Sequence, residues 1–438
     1  MALALSARTE ISLHVFHDER SASFAALGIG QHDGVPAVLL CTSGTAAVQF
    51  HAAVVEADHA HVPMLVCTAD RPPELQGVGA PQTINQTNLY GASTRLFIDA
   101  GVADDRHSSK WRAIARDSFS AAMDIDPGPV QINLPFREPL IGDLQALPAI
   151  DAGSIVKQGR LSPSASERKA LNKLLLATRG VIVAGAGIDQ PRFVFELART
   201  LQWPIIADQR SGCRVSADAS QDAVIVSTAD VMLRDVATAM QLKPEVILRI
   251  GDPPVSKVVN AWLKDCGATY CAISTTPPLI DPDNRVQLHI VGIPSQICME
   301  VVRGTTNRTD QTWVGEWGRR ETIARSTIDK ELAASKEITE PFVASRVLNA
   351  LPKDSNLVLS SSMPIRDVEW FAAPRDGVKV FAKRGVNGID GVVSTAVGIA
   401  LASRKPTALL IGDVAMMHDI NGLINITERA VDLRIVII

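Results

Sequence analysis

Three short stretches near the C-terminus hold the residue types that chemistry beside a phosphate group requires. They are Arg384-Gly-Val-Asn-Gly-Ile-Asp-Gly391, Ile411-Gly-Asp-Val414 and His418-Asp-Ile-Asn-Gly422. Gly385, Gly388 and Gly391 let backbone come close to a ligand. Asp413 follows the apolar run Ala408-Leu-Leu-Ile411, where a strand should end, and stands next to Gly412. In open α/β sheets ligands bind in the crevice beyond the strand ends. A lone carboxylate there suits a hard cation that holds a phosphorylated cofactor, although an aspartate in this place can equally cap the helix that follows. At the other end of the chain Glu19 stands beside Arg20, just past the apolar run Ile11 to Phe16. From its neighbours alone it reads as a solvated acid at a helix start.

Other constellations lead nowhere. Cys41-Thr-Ser-Gly44 lacks the Gly-x-Ser-x-Gly spacing of a nucleophile elbow. His51, His59 and His61 crowd one helix and its end without a His-Glu-x-x-His pattern, so they are expected to face solvent or a subunit neighbour rather than zinc. Cys266 and Cys271 have no second pair to complete a zinc site, and all six cysteines are expected as buried small hydrophobes. Gly185-Ala-Gly187 is half of a dinucleotide fingerprint, with Gln190 where the third glycine belongs; a structural turn is the expectation.

The elements that must carry these residues alternate between strand and helix. At 438 residues the chain has room for about three domains. Its 46% hydrophobic content includes few aromatics, only 4%, and an abundance of Ala, Val, Leu and Ile, which favours helices packed on parallel sheets. Strands are expected at 11–16, 35–41, 62–68, 128–135, 180–184, 204–207, 246–250, 356–360, 408–411 and 433–438, with a linker over 144–166 and a connecting helix over 305–340. The domains that follow are 1–150, 151–305, a connecting segment 306–340, and 341–438. A net charge of −4 gives no footprint for nucleic acid. With no signal peptide and no apolar run near the ~20 residues of a membrane span, a cytoplasmic protein without a membrane partner is expected.

Six stretches, taken in order, carry a resemblance: Asp18-Glu-Arg-Ser21, Cys41-Thr-Ser-Gly-Thr-Ala46, Thr68-Ala-Asp-Arg-Pro-Pro-Glu-Leu75, Ser362-Met-Pro-Ile-Arg366, Arg384 to Gly391, and Gly412-Asp413. Together they resemble the thiamine-diphosphate-dependent synthases of 2-succinyl-5-enolpyruvyl-6-hydroxy-3-cyclohexene-1-carboxylate (SEPHCHC) in menaquinone biosynthesis. The resemblance implies three consecutive parallel-sheet α/β domains of the thiamine-diphosphate enzyme type, the first and third incomplete. It implies decarboxylation of 2-oxoglutarate and 1,4-addition of the succinyl-semialdehyde carbanion to isochorismate. Under it Glu19 is the catalytic carboxylate that hydrogen-bonds the cofactor's aminopyrimidine. Ile389, Gly412 and Asp413 join Glu19 in binding thiamine diphosphate, with Asp413 as ligand to Mg²⁺ or Mn²⁺. Arg71, Gln82, Ser362, Arg366, Arg384 and Lys257 are the implied substrate-binding residues, arginine being suited to carboxylates by its planar fork. Pro81 stands where a polar residue is expected ahead of Gln82. A homodimer or homotetramer is implied, with the site shared between two subunits.

Two rivals differ in class. An acetolactate synthase or 2-oxoacid decarboxylase would act on smaller, monoanionic acids and need fewer arginines. A non-catalytic homologue or binding module is the other. Met1-Ala-Leu-Ala-Leu-Ser6 reads as a helix interior and Leu433 to Ile438 as a strand with nothing after it. Against the family, a Pro-Gly-Ser-Arg-Ser-type segment is expected upstream and an Asn pair downstream. The 438-residue polypeptide is therefore expected to bind cofactor poorly and to be nearly inactive.

Overall fold

A computed structural model describes residues 1–103, 108–141, 147, 149 and 161–438. The expected linker over 144–166 lies mostly outside the described residues. The chain forms two compact units.

The first unit comprises Met1–Gln158, Lys383–Thr407 and Asp413–Arg434. Its sheet contains β1 (Ala37–Cys41), β2 (Met64–Asp70), β3 (Leu96–Asp99) and β4 (Pro129–Pro135), in the order β1-β2-β4-β3. All three pairings are parallel. Every residue of the central strand β4 is buried, as befits a strand covered on both faces. The strand expected over 11–16 is not formed. Ile11, Leu13 and Val15 are 45%, 49% and 67% exposed, so their apolar alternation has no core to face. β3 was not expected from the sequence; its side chains are only half-buried or exposed, which weakens the pattern that would reveal it.

Helix Glu19–Asp33 crosses helix Val392–Ser403 with backbone against backbone. A Cβ on Gly28 would come within 2.2 Å of the Thr395 carbonyl oxygen, and one on Gly398 within 2.0 Å of that of Ala25. Val392–Ser403 is apolar around most of its circumference and buried along nine residues, the pattern of a helix enclosed on all sides.

The second unit comprises Gly159–Ala382, Ala408–Gly412 and Ile435–Ile438. Its six-stranded sheet has β5 (Gly180–Ala184), β6 (Ile205–Ala207), β7 (Ile225–Val226), β8 (Val246–Ile250), β9 (Thr269–Ser274) and β10 (Leu288–Val291), in the order β10-β9-β8-β5-β6-β7, parallel throughout. The glycine turn after β5 is filled by protein. A Cβ on Gly185 would lie 1.8 Å from the Asp252 carbonyl oxygen, and one on Gly251 2.0 Å from that of Ala186. These glycines admit a neighbouring backbone, in keeping with a structural turn. Helix Thr312–Ala334 is more than a connector: Trp317 is fully buried and meets Trp262 edge-on at 5.8 Å.

A third sheet is formed by β11 (Ser355–Leu359), β12 (Val378–Ala382), β13 (Thr407–Ile411) and β14 (Leu433–Ile437), in the order β12-β11-β13-β14, with β11 and β12 parallel. The α/β class with three sheets is the one expected. All six cysteines are free and buried, and burial pushes the thiols of Cys41, Cys67, Cys213 and Cys271 up to about 12. No helix among the described residues is long and apolar enough to cross a membrane.

Candidate active site

Glu19 is the first residue of its helix because Asp18 takes the capping position. The Asp18 carboxylate accepts from the Arg20 backbone N–H at 3.0 Å, from Ser21 Oγ at 3.1 Å and from Asn421 Nδ2 at 3.1 Å. With the cap filled by its neighbour, the Glu19 carboxylate points into a cavity of about 620 Å³. Among the described residues no group donates a hydrogen bond to it. Thr42, Ser43, Thr45, Gln49, Gln82 and Asn421 line the same cavity, as does Arg20. Arg20 is committed elsewhere: it donates to the His418 carbonyl at 2.6 Å and lies 3.6 Å from the buried Asp419 carboxylate.

The wall opposite is set by a buried polar network. Gly44 sits at φ 83, a left-handed conformation that favours glycine, and a Cβ there would make a tight 3.3 Å contact with the Gln82 backbone. Its N–H donates to Gln86 Oε1 at 2.8 Å, and Gln86 Nε2 reaches both the Ala69 carbonyl and Asn133 Oδ1 at 3.0 Å. Asn133 donates in turn to Asp70 at 2.8 Å. The side chains of Gln86 and Asn133 each both donate and accept here, which makes the loop geometry specific. The result brings Gln82 to the cavity and places Arg71 beside it, with Arg71 Nη2 donating to Gln82 Oε1 at 3.2 Å.

The loop Arg384 to Gly391 is held from beneath. Glu56, 1% exposed, accepts from the N–H groups of Gly385 and Val386, both at 2.8 Å. Lys383 donates to the Asp390 carbonyl, and its ammonium lies 4.4 Å from the Phe24 ring centroid. Burial pulls the Lys383 ammonium below its ordinary range, opposed by Asp390 and Glu56. Asp419 accepts from the Ser394 N–H at 2.7 Å at the start of helix Val392–Ser403, and burial pushes its carboxyl up. Arg384 and Ile389 are half-buried, and neither lines the Glu19 cavity. Asp413 is exposed, opens helix Asp413–His418 and accepts from the Val414 N–H at 2.7 Å. Among the described residues no group of three His, Cys, Asp or Glu could hold a metal. Asp413 is thus a single carboxylate, a donor set that fits a magnesium ion shared with phosphate oxygens rather than one caged by protein.

Ser362, Arg366, Lys257 and Gly412 belong to the second unit. Ser362, exposed at φ 77, precedes helix Met363–Phe371, and its side chain makes no cap. Arg366 is half-buried on the first turn of that helix, with Met363 Sδ at 3.9 Å. Lys257 is exposed at the start of helix Lys257–Asp265, capped by Ser256.

The amino-terminal residues 1–89 match the family model described as thiamine pyrophosphate enzyme, N-terminal TPP binding domain; residues 154–359 match that described as middle domain of thiamine pyrophosphate. A SEPHCHC synthase from Lysinibacillus sphaericus is 36% identical over 453 residues, covering 100% of this chain and 77% of that protein. The chain belongs to the SEPHCHC synthase family. Synthases of the same name from Geobacillus thermodenitrificans and Myxococcus xanthus are 37% and 35% identical, covering 97% and 100% of the chain and 73% and 77% of those proteins.

The residues that support these loops were not expected from the sequence. Glu56 had a signal: it is an acid between Val54, Val55 and Ala57 in the helix His51–His59, on the face that carries the apolar residues. Gln86 and Asn133 had none, since their pairing is long-range.

Proposed function

We propose that this protein catalyses thiamine-diphosphate-dependent decarboxylation of 2-oxoglutarate and 1,4-addition of the resulting succinyl-semialdehyde unit to isochorismate, giving SEPHCHC for menaquinone biosynthesis. The observation that carries this reading is the similarity to synthases of that name over the whole chain, with Glu19 facing a polar cavity. Thiamine diphosphate supplies the carbon nucleophile and electron sink when bound. Glu19 holds the aminopyrimidine by a hydrogen bond and governs its proton. Ile389 supports the cofactor rings, Gly412 allows close approach, and Asp413 ligates Mg²⁺ or Mn²⁺ at the diphosphate.

Both substrates are dicarboxylates, which calls for several cations. Arg71, Arg366, Arg384 and Lys257 meet their carboxylates, with Gln82 and Ser362 as neutral partners. Domain limits of 1–150, 151–305, 306–340 and 341–438 and a cytoplasmic location belong to the same proposal. So does a homodimer or homotetramer, supported by the exposed apolar side chains Val414, Met417 and Ile420. Sedimentation or light scattering tests that assembly, and a monomer at working concentration would refute it.

The deciding assay uses the purified protein with thiamine diphosphate and Mg²⁺. Product is expected from 2-oxoglutarate with isochorismate. Turnover of pyruvate in place of 2-oxoglutarate would overturn the assignment in favour of an acetolactate synthase or decarboxylase.

A further inference from the structure

Lys257 and Arg366 stand on separate helices of the second unit, yet both helices are tied to one turn. That turn, 208–214, leaves the C-terminal end of β6. Asp208 Oδ2 accepts from the Val255 N–H at 2.7 Å, two residues before Lys257. Gln209 Nε2 donates at 2.8 Å to the carbonyl of Ile365, the residue immediately before Arg366. Arg214 donates to the carbonyls of Val368 and Glu369 at 3.3 and 3.1 Å and meets the Glu369 carboxylate at 3.1 Å.

Gln209 is the informative member. It is 4% exposed, and its Oε1 is buried without a hydrogen-bond partner. Leaving a buried amide oxygen unpaired costs stability, and an apolar side chain of similar shape would avoid that cost. The side chain therefore contributes direction more than stability. Its one hydrogen bond acts on the first turn of helix Met363–Phe371, which bears Arg366.

We propose that Gln209 is a positioning residue for the reaction: it sets the first turn of helix Met363–Phe371 and thereby aims Arg366 at a substrate carboxylate. This rests on the assignment of Arg366 to substrate binding made above. Because Arg214 and Glu369 anchor the far end of the same helix, removing the Gln209 bond shifts the first turn without freeing the helix.

The test is a double-mutant cycle on the cofactor-loaded enzyme, with Gln209→Met, Arg366→Met and the pair. Gln209→Met is expected to raise KM for one dicarboxylate about fivefold while kcat stays within about twofold and the Tm does not fall. In the Arg366→Met background the same change is expected to add nothing. Gln209→Asn, which keeps the amide but falls one methylene short, carries the same expectation if the methionine variant does not fold. If Arg366→Met raises KM but neither Gln209 variant does, or if the effects add, the inference is overturned alone. If Arg366→Met leaves both KM values unchanged, the assignment of Arg366 fails and the inference falls with it.

Discussion

Two short segments in this molecule bring charged residues together, one past the end of β6 and one at the start of helix Glu19–Asp33, and they are put together in opposite ways. At Asp208–Arg214 each charge is answered from within: Asp208 holds Arg210 and the Val255 N–H, and Arg214 is spread over four carbonyls and the Glu369 carboxylate. At Asp18-Glu-Arg20 the flanking residues are likewise engaged, but Glu19 between them faces an open cavity. The two segments look alike as strings of charge. What separates a structural acid from a chemical one is whether its partners are supplied by the fold.

That contrast can be broken first at Glu19. Glu19→Gln is expected to lower kcat by about 10²- to 10³-fold with an unchanged Tm, measured by steady-state assay and calorimetry; a lost Tm with retained activity would make both segments structural. Arg214→Met is expected to do the reverse. Removing the donor shared by four carbonyls should cost about 3 kcal/mol or more, read from chemical denaturation. Gly398→Ala tests the helix crossing on which Glu19 depends: overpacking against the Ala25 carbonyl should cost about 2 kcal/mol and lower kcat as well.

A last effect concerns pH. Burial pushes the Glu369 carboxyl from its ordinary 4.5 up to about 8, against the pull of Arg214. A carboxyl raised in the folded state takes up a proton on folding, so its contribution to stability is full below about pH 4.5 and is lost as pH rises through about 8. Glu369→Gln should flatten the fall in stability over that window, as followed by denaturation midpoints at several pH values. An unchanged slope would show that Arg214 holds this acid ionised throughout.

Much of the architecture was legible because buried parallel strands are continuous apolar runs. The segments read at 62–68, 128–135, 180–184 and 246–250 recur as β2, β4, β5 and β8 within a residue or two. Ile11 to Phe16 misled because alternation signals a strand only if a core lies beneath one face. β9 and β10 passed unnoticed: Thr269–Ser274 contains polar ends, and Leu288–Val291 is only four residues long. At the candidate site the residue types could be named, but not their supports. Glu56 holds the N–H groups of Gly385 and Val386 across more than three hundred residues, and no local pattern encodes such a pairing.

The glycine crossing of helices Glu19–Asp33 and Val392–Ser403 also has a mechanical side. Glu19 projects about 13 Å along the helix axis from Gly28, at 1.5 Å per residue. With backbone touching backbone at the fulcrum, no side chain is available to absorb a change of angle. A tilt of about 5° there would swing the carboxylate by roughly 1 Å, a displacement that can cost about a hundredfold in rate. The crossing therefore works as a stiff pivot, and the aim of the helix tip is decided two and a half turns away from it.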